Sequence, residues 1–150
     1  MVLLYALPGI PVVYYGSEVG LSGGVEAPED FRHAMTWQTA DWNRDIHAWY
    51  VQLGELRRAE SVLQLGAYKI LAADQQSLAL ARFDRGRAIV AAATNSSDGA
   101  VVDVDVYPLA AKASGARLLF GEARLEQTET GYEVALAAHG ACLFFLDLAA

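Results

Sequence analysis

Two carboxyl groups held roughly 5–5.5 Å apart can act as nucleophile and acid/base, so the aspartates and glutamates are the first residues to weigh. Asp103 and Asp105 stand at i and i+2 in Val102-Asp103-Val104-Asp105-Val106, on one face of a strand and about 6.5–7 Å apart. With Val102, Val104 and Val106 on the opposite face, that alternation describes a strand with one solvated side, not a catalytic dyad. Glu26, Glu29 and Asp30 cluster in an irregular stretch with no strand to fix their separation. His33, His47 and His139 lack the i, i+4 spacing that holds zinc on a helix, so no metal site is expected. In Tyr15-Gly16-Ser17-Glu18-Val19-Gly20 the nucleophile-elbow pattern fails at Glu18, and Ser17 is read as a loop residue. Gly20, Gly23 and Gly24 open no helix, which leaves a phosphate cradle unsupported. Cys142, the single cysteine, sits in Ala141-Cys142-Leu143-Phe144 as a small buried hydrophobe; it excludes an intrachain disulfide and leaves the compartment undetermined.

Composition narrows the partners. A net charge of −7 disfavours nucleic acid and anionic membrane, both of which require a basic surface, and favours neutral ligands. With 54% hydrophobic and 19% charged residues over 150 positions, a packed core is expected, in one domain or in one small domain plus a piece of another. The apolar start Met1-Val2-Leu3-Leu4-Tyr5-Ala6-Leu7 has no basic flank, and Pro8-Gly9 interrupts it well short of the ~18 apolar residues of a membrane span. It reads as the last turns of a helix whose beginning lies upstream.

The elements that would position a site follow from periodicity. Ile10–Tyr15 is a β-rich run with both alternating faces uncharged, expected to be a parallel strand covered on both sides. Helix end, tight turn and buried strand make one step of an α/β fold. Residues 17–39 form a long loop of the kind usually kept for function, with Phe31, Met35 and Trp37 as its expected anchors. Asp41 or Asn43 is expected to cap a helix running to about Arg58, with Trp42, Ile46, Trp49, Tyr50, Leu53 and Leu56 on one core-facing stripe and His47 on the polar side. After Gly66 the period changes from 3.6 to 2, which places a boundary between residues 59 and 67. Strands are expected at 68–72, 78–83, 88–94, 101–107, 116–120, 133–136 and 142–148, separated by turn-forming segments such as Asp84-Arg85-Gly86 and Ser114-Gly115. That spacing describes an antiparallel sandwich, whose aromatics suit a core, Tyr107 and Tyr132 being the exceptions.

The stretch Leu7-Pro8-Gly9-Ile10-Pro11-Val12-Val13-Tyr14-Tyr15-Gly16-Ser17-Glu18-Val19-Gly20-Leu21 resembles the last barrel strand of α-amylase-family glycoside hydrolases and the loop after it. The likeness continues through Gly23-Gly24, Arg32, Met35 and Trp37 into Gln52-Leu53-Gly54-Glu55-Leu56-Arg57-Arg58, which is similar to that family's final barrel helix. Beyond Val62–Tyr68 it rests on strand pattern.

The resemblance implies an α/β barrel remnant, the last β/α unit of a TIM barrel over residues 1–60, followed by an all-β antiparallel sandwich over 61–150. It implies a retaining enzyme of neopullulanase, α-glucosidase or maltogenic-amylase type, acting on α-1,4 or α-1,6 bonds of an α-glucan or maltooligosaccharide, with no cofactor. Because barrel active sites lie at the C-terminal ends of the strands, the loop after Tyr15 would border the cleft. Glu18 and Arg32 then become substrate-binding candidates. Glu18 could equally cap its own loop, and Arg32 could pair with Glu29 or Asp30. Ala27-Pro28 stands where the family has Asp-Pro, and the spacing to Arg32 is one residue longer than usual. The family's three catalytic carboxylates come from earlier strands, and no motif here matches them. The alternative reading is a non-catalytic β-sandwich module, carbohydrate-binding or structural.

Overall fold

The computed structural model describes residues 1–23, 33–109 and 112–149. Helices α1 (Val2–Ala6), α2 (Arg44–Ala59) and α3 (Ser61–Leu65) precede eight strands: β1 (Ala67–Ala73), β2 (Ser77–Phe83), β3 (Arg87–Thr94), β4 (Ala100–Asp105), β5 (Lys112–Gly121), β6 (Arg124–Gln127), β7 (Gly131–Leu136) and β8 (Ala141–Ala149). All pairings are antiparallel and build two sheets, β1-β2-β3-β8-β5 and β4-β7-β6.

The chain stacks three layers, because β2, β3 and β8 are apolar on both faces. Ala79, Ala81, Ala88, Val90, Ala92, Cys142, Phe144 and Leu146 meet Val102, Val104, Tyr132, Val134 and Leu136 of the smaller sheet. The alternate residues Leu80, Ile89, Ala91 and Leu143 pack on Val2, Tyr5 and Ala6 of α1, Leu53 of α2, and Val62 and Leu63 of α3. The helices thus cover the sheet face that a two-layer sandwich would leave in water.

Helix α2 starts where its cap residue dictates: the Asn43 side chain accepts from the backbone N–H groups of Asp45 and Ile46 at 3.1 and 3.0 Å. Its stripe is only partly inward. Leu53 is fully buried, but Trp49 is 47% exposed, against the expectation of a core tryptophan. Trp37, expected to anchor the loop, is 80% exposed.

The largest departure concerns Ile10–Tyr15. This run joins no sheet, and Ile10 and Val12 are 88% and 79% exposed. A strand exists through ladder hydrogen bonds to neighbours, and the eight described strands are all committed to the two antiparallel sheets. Lesser differences have local causes. Ser114-Gly115 is not a turn but an irregularity inside β5, with a register shift between Ala113 and Gly115. Strand β6, not expected, is the edge of the small sheet and turns only Leu125 inward, so it carries little alternation to read. Tyr132 is buried against Phe144, their ring centroids 6.5 Å apart, whereas Tyr107 is exposed.

Candidate functional site

Glu18 lies in a single 3₁₀ turn, Ser17–Val19, bracketed by two glycines with left-handed backbones, Gly16 (φ 85°) and Gly20 (φ 72°). Both positions require glycine. A Cβ on Gly16 would stand 2.7 Å from Leu21 Cδ2, and one on Gly20 would stand 2.9 Å from Asn43 Cβ. The Val19 side chain is buried, and its carbonyl accepts from Asn43 N–H at 2.9 Å. The turn is therefore fixed to the residue that caps α2.

So placed, Glu18 lines an open cleft of about 470 Å³ together with Val13, Tyr15, His47, Tyr50 and Val51. Its Oε2 is buried and finds no hydrogen-bond partner among the described residues, an acceptor that a ligand hydroxyl would satisfy. Tyr15 donates its hydroxyl hydrogen to the His33 carbonyl at 3.0 Å. Trp42 donates from Nε1 to the Thr36 carbonyl at 2.9 Å and has the His47 ring 5.2 Å away and the Arg44 guanidinium 5.9 Å from its centroid. These contacts tie the far end of the loop to the start of α2. Among the described residues lining this cleft Glu18 is the one carboxylate, so they provide hydrogen bonding without the second carboxyl that a double-displacement reaction needs.

Arg32 lies outside the described residues, as do Glu26, Glu29, Asp30 and Phe31. His47, expected to face solvent without a role, lines the cleft; its position three residues before Tyr50 on the same helical face was the available signal. Asp103 is exposed on the outer face of β4 and Asp105 spends one oxygen on the Tyr107 N–H at 2.8 Å, as the alternation of β4 requires. Cys142 is buried, which pushes its thiol up to about 11, with a backbone hydrogen bond involving Ala92 acting in the opposite direction. No group of three or more His, Cys, Asp or Glu side chains among the described residues could hold a metal ion. No helix among them is long and apolar enough to cross a membrane.

No family model matches the chain. It is 32% identical over 102 residues to a cyclomaltodextrinase of Thermoanaerobacter pseudethanolicus, covering 68% of this chain and 17% of that protein. A cyclomaltodextrinase of Geobacillus thermopakistaniensis is 30% identical over 142 residues, 93% of this chain and 23% of that one. The solved debranching enzyme of Nostoc punctiforme superposes with a TM-score of 0.77 at 32% identity, over 97% of this chain and 29% of its own. The chain matches the C-terminal part of an α-amylase-family enzyme. It spans less than a quarter of the length of the two cyclomaltodextrinases.

In this C-terminal part the ends of α1 and α3 and the turn after α1 are held by two arginines that spacing alone did not reveal. Arg57 of α2 donates to the carbonyls of Tyr5, Leu7 and Gly9, fixing the chain just before the Ile10–Tyr15 run. Arg82 of β2, 1% exposed, donates from Nη1 to Ala6 O (3.0 Å) and Leu63 O (2.6 Å) and from Nη2 to Gly66 O (2.8 Å). It binds at the ends of α1 and α3, where carbonyls lack intrahelical donors and the helix dipole attracts a cation. Burial, reinforced by the charge of Arg57, lowers the Arg82 pKa from its ordinary value.

Proposed function

We propose that this chain is the C-terminal part of a retaining glycoside hydrolase that cleaves α-1,4 or α-1,6 bonds of α-glucans and maltooligosaccharides, with the catalytic carboxylates supplied by residues outside it. Residues 1–60 then close a (β/α)8 barrel and residues 61–150 form the C-terminal sandwich. The observation that carries this reading is the extent of the likeness to the debranching enzyme, which runs through the helical layer as well as the sheets. The run 10–15 supports it: an apolar segment that belongs to neither sheet, with Ile10 and Val12 largely exposed, suits a strand whose partners belong to the rest of the barrel.

Glu18 serves here as a substrate contact, its buried oxygen accepting a sugar hydroxyl at the border of the cleft, and Arg32, outside the described residues, is the second substrate-binding residue that the resemblance implies. Their role is orientation; neither supplies nucleophile or proton. A binding role for the sandwich alone has less support, because Tyr132, one of its two candidate stacking aromatics, is buried. The test is release of reducing sugar from maltooligosaccharides and pullulan by the purified chain at high concentration. No turnover is expected. Turnover abolished by Glu18→Gln would place a complete active site on the loop after Tyr15 and overturn the proposal.

A further inference from the structure

The sequence holds one Asp-Gly pair, Asp98-Gly99, and no Asn-Gly pair. It lies in the connection from β3 of the large sheet to β4 of the small one, on the side of the large sheet that faces away from the helices. We propose that Asp98-Gly99 is a site of spontaneous backbone modification, where aspartate isomerises to isoaspartate through a cyclic imide. The Gly99 amide nitrogen attacks Cγ of the Asp98 carboxyl in its acid form. The amide proton and the carboxyl hydroxyl leave as water, and a five-membered succinimide closes. Water then adds to one of the two imide carbonyls. Breaking the Cγ–N bond restores aspartate. Breaking the bond from the main-chain carbonyl carbon to nitrogen leaves the chain running through Cγ, with the former main-chain carbonyl as the free carboxylate.

Two features of the turn single this pair out. The first is an idle carboxylate. Asp74, Asp84 and Asp105 each hold a nearby backbone N–H with a side-chain oxygen, as aspartates in turns commonly do. In the β3–β4 turn that part falls to Ser96, whose Oγ accepts from Asp98 N–H at 3.2 Å. The Asp98 side chain is exposed and has no hydrogen bond or ion pair among the described residues, so no contact holds Cγ away from the next amide. The second is an obligatory glycine. Gly99 has φ 80°, and a Cβ there would stand 2.6 Å from the Leu136 carbonyl oxygen. A side chain after the aspartate would hinder ring closure, and this turn has no room for one. The same tightness gives the modification a structural effect. Isoaspartate lengthens the main chain by one carbon–carbon bond, about 1.5 Å. Ser96 O is held by His139 N–H at 2.9 Å on one side, and Ala100 pairs with Leu136 on the other. The extra length therefore strains the start of β4.

Ageing the folded chain for weeks in warm buffer near neutral pH tests the proposal. An isoaspartyl methyltransferase with labelled S-adenosylmethionine should then mark the peptide that holds residue 98, and an endoproteinase that cuts before aspartate should fail there in the same fraction of chains. The mass stays unchanged, because the water lost on closure is regained on opening. Asp98→Glu, whose imide would be a six-membered ring, should cut the labelling at least tenfold. Asp98→Asn should pass through the same succinimide faster and lose its amide. Hydrogen exchange of the labelled chains should show weaker protection at the start of β4. Labelling at residue 98 in chain aged in urea but not in folded chain would overturn the site, since the fold would then protect the pair. Labelling that persists in Asp98→Glu, or an Asp98→Asn chain that keeps its amide over the same weeks, would overturn it as well.

Discussion

Arg82→Met exchanges the buried guanidinium for a side chain of similar length that donates nothing. Three carbonyls, those of Ala6, Leu63 and Gly66, lose their donor together. Hydrogen bonds to a charged group contribute about 1.5–3 kcal/mol each, so the gross loss is roughly 5–9 kcal/mol. Against it stands the desolvation of the cation, several kcal/mol by general experience, to which the unpartnered Arg82 Nε adds. The expected net destabilisation is about 2–4 kcal/mol. With a urea m-value of about 2 kcal/mol/M, the middle of the usual range, the unfolding midpoint should fall by roughly 1–2 M. Arg82→Lys, which keeps the charge but cannot fork toward three acceptors, should fall between Met and the parent. Hydrogen exchange supplies the local readout: the amides of Leu7 and Gly66, bonded to Leu3 O and Val62 O, should lose protection first. A midpoint for Arg82→Met equal to or above that of the parent, with those amides still protected, would refute the reasoning and make Arg82 a tolerated charge instead of a clamp.

Other perturbations follow from the same contacts. Asn43→Ala removes the one cap acceptor of α2, Asn43 Oδ1, and both N–H bonds it takes, and should lower stability by about 1 kcal/mol in urea titration, with Asn43→Asp close to neutral. Gly131→Ala places a Cβ 2.0 Å from the Val104 carbonyl oxygen; it should separate β7 from β4 and lower the thermal midpoint by several degrees, as read by circular dichroism. Burial pushes the Cys142 thiol up to about 11 in the folded chain from an ordinary value of 9.0. The unfolded chain then binds fewer protons between those values, so stability falls as pH rises from 9 to 11, by on the order of 2 kcal/mol from this group. Cys142→Ala should flatten that part of the urea-midpoint profile, and thiol labelling of the folded chain at pH 8 should be slow.

What could be read from the sequence was whatever one local signal determines. Asn43 followed by a helical stripe gave α2, and the Val-Asp alternation of residues 101–106 gave a strand with one wet face, found as β4. The helical cover over the large sheet was not legible, because the double-faced burial of Leu80, Ile89 and Leu143 depends on what α1 and α3 bring to it. Trp49 fitted the core stripe by phase, yet the described residues leave it half exposed. Arg57 and Arg82 escaped for a related reason: an arginine in an apolar phase declares a cap only once the helix ends it serves are placed beside it. Strand β6 failed for want of alternation. At the candidate site, the residues around Glu18 were legible as a motif, while its link to His47 and Tyr50 required knowing that the 17–19 turn docks on α2.

The measurement that bears most directly on the central claim is a chimera in which this chain replaces the corresponding C-terminal part of a cyclomaltodextrinase. If residues 1–60 complete a barrel whose carboxylates lie elsewhere, the chimera should fold cooperatively and release sugar from maltooligosaccharides, and Glu18→Gln should raise KM severalfold with kcat nearly unchanged. A chimera that folds yet releases no sugar, or one in which Ile10–Tyr15 stays as open to proteolysis as in the isolated chain, would contradict the account.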